Sequence, residues 1–464
     1  MDWKNQLTKT PYLVLFIVLI TVGVGTASAL ITITLSGDVV ITGDLDMTNG
    51  KISNLVTPSV PADAATKAYV DSALGTDTLA LLGCTTDQIA RFDGNNWVCG
   101  KIKAKNNPIS IVDSAEGVGI YTSIAIGTDN NPVISYYDGV NDDLKVAHCG
   151  DTSCSAGNTI TTVFSTNNVG SFTSIAIGTD GNPVISFEDF TNGNLKVAHC
   201  GNASCSADNT IRTVESPPAI VGLYTSIAIG TDGNPVISYF DATNGNLKVA
   251  HCGAINCGAF NTVTTVDSTA IVGIYTSIAI GTDGNPVISY YDTTNQALKV
   301  AHCGNASCSS GNTLTTVDST DSVGLDTSIA IGTDNNPVIS YYDVTNTALK
   351  VAHCGNASCS SGNTITTVFS TNNVGLNTSI AIGTDGNPVI SFEDATNGNL
   401  KVAHCGNASC SAGNTIRTVE SPPAIVGIYT SIAIGTDGNP VISYYDVTNG
   451  DLKVAVDGVV MIFE

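Results

Sequence analysis

Six copies of a histidine–cysteine motif are the residues of this chain whose types and spacing most suggest chemistry. The motif reads His-Cys-x4-Cys, and its histidines are His148, His199, His251, His302, His353 and His404. Histidine and cysteine at such spacing can bind zinc. Adjacent residues of a strand point to opposite faces, however, so each histidine turns away from the neighbouring cysteine. Each loop then has too few ligands for a closed site, and we predict structural histidines with no metal and no cofactor.

The 14 cysteines form seven close pairs in the sequence. They are Cys84 with Cys99, Cys149 with Cys154, Cys200 with Cys205, Cys252 with Cys257, Cys303 with Cys308, Cys354 with Cys359, and Cys405 with Cys410. An even, paired set is typical of disulfides that form in an oxidising compartment. A disulfide that closes so short a loop stabilises it by about 2 kcal/mol in the chain-entropy model.

Each motif belongs to a longer repeated unit, exemplified by Tyr275–Cys308. The serine of its SIAIG core recurs at Ser123, Ser174, Ser226, Ser277, Ser328, Ser379 and Ser431, at spacings of 51 or 52 residues. A fixed period near 50 residues indicates one supersecondary unit that is stacked or closed into a ring.

Four strand-like runs occur in every complete unit. In the fourth unit they are Thr276–Gly281, Pro286–Tyr291, Leu298–His302 and Thr313–Val317. Four strands joined by tight turns are the signature of a propeller blade. We therefore predict an all-β fold, a seven-bladed β-propeller of four-stranded blades over residues 107–464, with the small residues of the first run innermost.

The last unit lacks a fourth run, which suggests how the ring closes. Pro108–Ser114 precedes the first unit and aligns with Leu314–Ser319, so it can supply the outer strand of the seventh blade. Val459–Glu464 can also form a hairpin with the third run of that blade. The two alternatives remain open at this stage.

The repeat resembles a known class of blade. Its SIAIG, GNPVISYYD and LKVA segments are similar to the propeller repeats of uncharacterised prokaryotic cell-surface proteins, and distantly to sialidase-type blades. A sialidase places three arginines around its substrate carboxylate, whereas Arg212 and Arg417 are the only arginines in the repeats. The resemblance thus implies the fold, and we expect no enzyme activity.

The N-terminus predicts export. Residues 12–35 are uncharged and follow Lys4 and Lys9. Ala27-Ser28-Ala29 fits a signal-peptide cleavage site, but a run this long can also span a bilayer as an apolar helix. Residues 1–35 are therefore a signal peptide or a transmembrane anchor, and both place the remainder outside the cytoplasm, secreted or at the cell surface.

Two small segments are predicted between the N-terminus and the propeller. Residues 36–75 form a short β-rich stem, which resembles the stem repeats of phage tail fibres through GDLDMTNGKISNLVTPSVPADAATKAYVDSAL. That resemblance implies a homotrimer. Residues 76–106 form a hairpin that a disulfide between Cys84 and Cys99 would staple, with a polar connector at residues 101–106.

Charge restricts the partners. The chain has 464 residues, with 40 acidic and 17 basic side chains, for a net charge of −23. Binding to a phosphate backbone needs clustered Lys and Arg, so we predict no nucleic-acid partner.

Repeated carboxylates have structural explanations. An aspartate ends each second run and a lysine follows seven residues later, which predicts an ion pair across each hairpin. The pairs are Asp138 with Lys145, Asp189 with Lys196, Asp241 with Lys248, Asp292 with Lys299, Asp343 with Lys350, Asp394 with Lys401, and Asp446 with Lys453. The turns between first and second runs lack the dense acidic ligands of calcium loops, so we attribute them to turn chemistry.

A few positions break the symmetry of the repeat. Glu188 and Glu393 replace an aromatic residue at the end of a second run, while Asp326 and Asn377 replace one at the start of a first run. We expect both positions on one face of the ring, with Tyr121, Tyr224, Tyr275 and Tyr429. Aromatic platforms beside polar groups suit a sugar or peptide ligand. Packing between blades is the alternative interpretation.

Four sequons lie in the cysteine loops, at Asn202, Asn305, Asn356 and Asn407, and are candidate glycosylation sites. Together these features predict a non-enzymatic surface protein whose propeller head recognises a glycan or a protein. A structural envelope component is the second interpretation, and a degenerate glycan-processing enzyme the third.

Overall fold

The computed structural model describes residues 88–92, 97–104, 108–216, 220–421, 423, 425–458 and 461–463. The predicted signal or anchor segment, the stem and Cys84 lie outside these residues. Within them, no helix is long and apolar enough to cross a membrane. The chain divides into two units, one of residues 1–104 with 459–464 and one of residues 105–458.

The described residues form 31 strands. The first three are β1 (Gln88–Phe92), β2 (Trp97–Ala104) and β3 (Ile109–Asp113). Blade 1 contains β4 (Val118–Ile126), β5 (Pro132–Asp138), β6 (Asp143–His148) and β7 (Thr159–Phe164). Blade 2 contains β8 (Val169–Ile177), β9 (Pro183–Asp189), β10 (Asn194–His199) and β11 (Thr210–Glu215). Blade 3 contains β12 (Val221–Ile229), β13 (Pro235–Asp241), β14 (Asn246–His251) and β15 (Thr262–Asp267).

The later blades repeat this order. Blade 4 contains β16 (Val272–Ile280), β17 (Pro286–Asp292), β18 (Ala297–His302) and β19 (Thr313–Asp318). Blade 5 contains β20 (Val323–Ile331), β21 (Pro337–Asp343), β22 (Ala348–His353) and β23 (Thr364–Phe369). Blade 6 contains β24 (Val374–Ile382), β25 (Pro388–Asp394), β26 (Asn399–His404) and β27 (Thr415–Glu420). The last strands are β28 (Val426–Ile434), β29 (Pro440–Asp446), β30 (Asp451–Val456) and β31 (Met461–Phe463).

Seven four-stranded antiparallel sheets confirm the predicted propeller. The seventh has the order β28-β29-β30-β3, with Ile109 opposite Ala455 and Asp113 opposite Leu452. The segment before the first repeat therefore supplies the outer strand of the last blade. Met461–Phe463 does not compete for that edge; it pairs with β2 in the smaller unit.

The smaller unit holds a three-stranded sheet of order β1-β2-β31. Phe92 lies opposite Trp97, as the predicted hairpin requires. The predicted connector is partly wrong, because β2 continues to Ala104 and pairs there with Met461.

The inner strand of each blade begins earlier than the sequence pattern indicates. In blade 4 it starts at Val272 rather than Thr276. Two irregularities interrupt the alternation, since Gly273 has a φ of +102° and Tyr275 a φ of +55°. A bulge shifts the side chains by one position, so a strict two-residue period cannot detect the first four residues.

Hydrogen bonds between inner strands explain the TSIAIG and VIS motifs. Thr276 Oγ1 donates to Ser238 Oγ of the preceding blade at 2.8 Å, and the Ile278 amide donates to Ser226 Oγ at 3.2 Å. The threonine–serine bond recurs at all seven junctions, at 2.7–2.9 Å. It includes the junction between the last and first blades, so these bonds join the ring into a closed circle.

A second contact joins blades farther from the axis. Asp267, on the outer strand of blade 3, accepts hydrogen bonds from Tyr290 Oη at 2.7 Å and from Lys299 Nζ, both in blade 4. We call this acid–tyrosine–lysine set the clasp, and five junctions have it. The other two have aromatic pairs instead, Phe164 with Phe187 and Phe369 with Phe392.

The predicted structural roles of the charged repeat residues are confirmed. The seven Asp–Lys pairs lie at 2.7–3.9 Å. The Nε2 atoms of five histidines lie 2.8–3.0 Å from a carboxylate oxygen of the aspartate in the first turn of their own blade, as that of His302 does from Asp283 at 3.0 Å. That aspartate also accepts from the Asn285 amide at 3.1 Å, which is turn chemistry.

Six of the seven predicted disulfides lie within the described residues, and all six are formed, with Cα–Cα distances of 4.7–4.8 Å. The disulfide between Cys84 and Cys99 stays a prediction, because Cys84 is not among the described residues. The six that are formed join Cys149 to Cys154, Cys200 to Cys205, Cys252 to Cys257, Cys303 to Cys308, Cys354 to Cys359, and Cys405 to Cys410.

The second cysteine of each loop has a backbone that the sequence did not predict. Its φ lies between +51° and +53° at Cys154, Cys205, Cys257, Cys308, Cys359 and Cys410. Its amide donates to the carbonyl three residues earlier, as Cys308 does to Asn305 at 3.0 Å. The loop is thus a tight turn that ends on a left-handed residue, and the disulfide fastens that residue to the end of the third strand. This structural role leaves no thiol for a metal in the six loops.

The seventh blade has no cysteine loop. There Asp457 is buried and pairs with His404 Nε2 at 2.7 Å and with Arg417 Nη1 at 3.1 Å. Arg417 thus has a structural role between blades 6 and 7.

Candidate functional site

One residue from each inner strand lines a cavity on the propeller axis. These seven residues, which we call the axial ring, are Tyr121, Phe172, Tyr224, Tyr275, Asp326, Asn377 and Tyr429. All have φ values between +50° and +55°. Aromatic residues rarely adopt this left-handed conformation, which costs about 1–2 kcal/mol at each of the five aromatic positions, whereas Asp and Asn adopt it more readily. Seven such residues at equivalent bulges are a regular feature of the fold and not a local irregularity.

The cavity has a volume of about 190 Å³. Below the axial ring its wall consists of the threonine that follows each ring residue, namely Thr122, Thr173, Thr225, Thr276, Thr327, Thr378 and Thr430. Their hydroxyls already donate to serines of the preceding blade. This lower wall is therefore held rigidly by the bonds that close the propeller.

Five aromatic rings follow one another in a continuous row around the axis, with neighbouring planes tilted by 35–57°. The centroid distances are 4.6 Å from Tyr429 to Tyr121, 4.4 Å to Phe172, 4.5 Å to Tyr224 and 4.7 Å to Tyr275. Within the described residues, Tyr275 and Tyr429 each have a ring neighbour on one side only. Asp326 and Asn377 occupy the remaining two positions, and we call this sector the notch.

The polar groups of the notch are linked. The backbone amide of Asn377 donates to Asp326 Oδ2 at 2.9 Å. The side-chain amide of Asn377 donates through Nδ2 to Glu393 Oε2 at 2.8 Å. Burial raises the pKa of Asp326 to about 6. Burial also raises the pKa of Glu393, with a further contribution from the charge of Asp326. None of the 14 residues that line the cavity is basic.

Glu188 occupies the same blade position as Glu393 but has different surroundings. It is 1% exposed and lies opposite Ser171 on β8. Neither carboxylate oxygen has a hydrogen-bond partner among the described residues. Burial, together with the charge of Asp189, raises the pKa of Glu188 to about 7.

The structure brings together six of the eight predicted ligand-binding residues. Glu188 and Glu393 instead lie one strand farther out, behind the cavity wall. Phe172 also belongs to the axial ring and was missed, because the prediction selected tyrosines and their polar replacements. The alignment of its FTSIAIG segment with the YTSIAIG segments is the signal that identifies it.

The predicted glycosylation sites contribute to their own loops. Asn305 Oδ1 accepts from the Ser307 and Ser309 amides at 3.2 and 3.1 Å. Asp151 takes the same place in blade 1 and accepts from Ser153 and Ser155. The side-chain oxygen thus shapes the loop, and glycosylation of the amide nitrogen stays a prediction.

Comparison with known proteins finds similarity among solved structures only. No protein-family model matches the chain, and no curated protein matches it. Similar solved structures include a protein of unknown function from Dyadobacter fermentans, at 9% identity and a TM-score of 0.47, covering 76% of this chain and 98% of that one. A Hadza microbial sialidase has 9% identity and a TM-score of 0.44, covering 70% and 73%. The intramolecular trans-sialidase from Ruminococcus gnavus has 9% identity and a TM-score of 0.42, covering 77% and 98%. At these identities and TM-scores we draw no conclusion about this chain from the likeness.

Proposed function

We infer that the propeller is a non-enzymatic recognition head that binds its ligand in the axial cavity. The observation that carries this inference is the axial ring, in which seven non-glycine residues share a left-handed backbone. Strained conformations of this kind cluster at binding and active sites, where the surrounding structure holds them in place. The threonine–serine bonds and the clasps already join the blades, so ring closure does not explain the aromatic residues.

A glycan or a protein side chain is the ligand class that suits the cavity. The row of aromatic rings offers apolar surface, and the notch adds hydrogen-bonding groups that fix orientation. Phe190 and Ile220 are 65% and 53% exposed on loops at the same end of the blades, so that end also carries apolar side chains outside the cavity. A head of this kind fits a surface protein that recognises or adheres to its surroundings.

A glycan array, together with an array of surface proteins, tests this function. We expect binding by the parent chain and a loss of at least about tenfold in affinity for Tyr275→Ala, which removes one wall of the notch. Phe260→Ala is the matched control, because Phe260 is 93% exposed in a cysteine loop at the opposite end of the blades. Equal loss in both variants, or no binding to any arrayed molecule, would count against recognition and favour a structural envelope component.

Glycan processing is a separate outcome of the same experiment. Glu188 and Glu393 are the carboxyl groups behind the cavity whose pKa values burial raises. Turnover of an arrayed glycan that disappears in Glu188→Gln or Glu393→Gln would establish an enzyme in place of a recognition head.

Export and anchoring are part of the proposal. Six formed disulfides support an oxidising location. The membrane segment, the stem and its trimer complete the proposed surface protein. Mass mapping of non-reduced protein from the native host would test the location, with free thiols in the six loops as the contrary result.

A further inference from the structure

We propose that the axial cavity recognises an organic cation, an ammonium group held in the notch between Tyr275 and Tyr429 beside Asp326. This inference rests on the proposed binding function and adds the chemistry of the ligand. The proposed ligands include both primary amines and quaternary ammonium groups, since both carry a positive charge and no residue of the notch does.

The aromatic row supplies the first part of the argument. A cation is attracted to the face of an aromatic ring through the negative charge of the π system, most strongly where water is excluded. Inside the row, the centroids of successive rings are 4.4–4.7 Å apart and their planes are tilted by 35–57°, so each inner ring has a ring neighbour on both sides. Tyr275 and Tyr429, at the ends of the row, have no ring neighbour on the notch side within the described residues. The two ring sides without an aromatic neighbour are therefore those that bound the notch, where a ligand can approach both tyrosines at once.

The carboxylates supply the second part. Asp326 lies in the notch and Glu393 directly behind it, and Asn377 links them by its two hydrogen bonds. No basic side chain lines the cavity to balance them. Their pKa values are raised because burial disfavours the charged forms. A bound cation would supply the missing countercharge, whereas an anionic ligand would add a further negative charge to the same site.

Asn377 determines which carboxylate oxygens of the notch remain available to a ligand. It uses its backbone amide on Asp326 and its side-chain amide on Glu393, so Asp326 Oδ1 receives neither of these bonds. An ammonium group has hydrogen-bond donors or a diffuse positive charge and no acceptor. It therefore complements a wall in which carboxylate oxygens and ring faces are offered together.

A matched pair of probes tests the proposal on the full chain. Choline carries a permanent charge, and 3,3-dimethylbutan-1-ol is its neutral isostere of nearly the same shape. We expect choline to bind at least about tenfold more tightly by calorimetry, as a desolvated cation–π contact and a carboxylate together imply. Hexylamine and hexanol form a second pair that separates primary amines from quaternary groups as the source of the cation.

Variants locate the binding. Asp326→Asn should reduce the affinity for choline at least about tenfold. Asp385→Asn, in a turn at the other end of blade 6, changes the net charge equally and should have no effect. Thermal unfolding of both variants shows whether the fold is retained. Equal affinity for the charged and neutral probes, or equal loss in the two variants, would overturn the cation inference and leave the recognition function in place.

The pH dependence provides a second readout. Choline does not titrate, and the affinity should rise several-fold from about pH 5 to about pH 7 as Asp326 ionises. The titratable groups that feel the charge of Asp326 are the hydroxyls of Tyr224, Tyr275, Tyr342 and Tyr429 and the carboxyl of Glu393. The tyrosine pKa values are raised above 10.0, so only the carboxyls titrate in this range. A profile that Asp326→Asn leaves unchanged would contradict the role of Asp326.

Discussion

At the scale of single residues, Glu188 and Glu393 show how surroundings determine the cost of a buried acid. Both precede the aspartate that ends the second strand of a blade, and both replace an aromatic residue. Asn377 donates a hydrogen bond to Glu393. The equivalent residue in blade 2 is Phe172, which cannot donate, and neither oxygen of Glu188 has a partner among the described residues. Ionised Glu188 is therefore poorly solvated, and the protein favours its neutral form.

This difference predicts the pH dependence of stability. The pKa of Glu188 is about 7 in the folded chain, against 4.5 for a glutamate in the unfolded chain, so the unfolded chain loses the proton first as pH rises. The unfolded state gains stability through that interval, and the free energy of unfolding falls by about 3 kcal/mol between the two pKa values. Glu188→Gln should remove this fall, as measured by chemical denaturation across the interval.

Glu393→Gln is the control for this prediction. Its carboxylate keeps a hydrogen bond from Asn377, so a smaller part of the pH dependence should disappear. If Glu188→Gln leaves the slope of stability against pH unchanged, Glu188 is ionised in the folded protein and its burial has another compensation.

At the scale of elements, the clasp determines how neighbouring blades hold together. In the junction between blades 3 and 4, Asp267 and Lys299 are 2% and 8% exposed, and Asp267 accepts from both Lys299 and Tyr290. Asp267→Ala should destabilise the protein by about 2 kcal/mol, because it leaves a buried hydroxyl and an ammonium with fewer partners. Lys299 retains Asp292 at 3.9 Å, which limits the loss.

The molecule itself offers the compensating change. Where the acid of the clasp is replaced by Phe164, the tyrosine is replaced by Phe187, and Lys196 lies 5.1 Å from the Phe164 ring centroid. The double variant Asp267→Phe with Tyr290→Phe should therefore recover at least half of the stability that Asp267→Ala loses. Urea denaturation of the single and double variants measures the coupling. Additive losses would show that the two kinds of junction cannot be exchanged.

The clasp is a contact between neighbouring repeats, and the period of the sequence does not predict it. The blade count, the order of strands and the loop disulfides follow from residues that recur inside one unit. Asp267, by contrast, meets Tyr290 and Lys299 of the next unit, 23 and 32 residues away. The available signal is a paired change, since blades whose predecessor ends in TTVF have SFED where others have SYYD or SYFD. The sequence of a single repeat does not show which of its residues contact the next repeat.

The candidate site divides in the same way. The replacements at Asp326 and Asn377 are visible because they break an aromatic pattern, and the structure places both in the cavity wall. The left-handed backbone is not visible in sequence, since tyrosine and phenylalanine rarely adopt it. The bulge that produces it shifts the inner side chains, so the sequence does not show how Glu188 lies relative to the axial ring.

At the scale of the whole molecule, ring closure depends on a strand that lies outside the last repeat. β3 covers the edge of β30, and Asp113 in β3 accepts from Tyr136 of blade 1 at 2.7 Å. One short segment thus completes blade 7 and also fastens it to blade 1. The loss of that segment would expose the edge of a sheet, which is a template for pairing with another chain.

Deletion and transfer of this segment test closure in the propeller unit of residues 105–458. Deletion of residues 105–114 removes one clasp, worth about 2 kcal/mol, and exposes β30, so we expect a lower unfolding midpoint and association through the free edge. In the other blades ten residues separate the third strand from the fourth, as between His302 and Thr313. In a second chain, residues 105–114 follow Gly458 through a linker that leaves ten residues between Val456 and Ile109. This chain should be a monomer, as measured by light scattering, and should unfold as cooperatively as the parent. A transferred segment that fails to restore the monomer, although the deletion causes association, would show that closure needs the N-terminal connection and not only the strand.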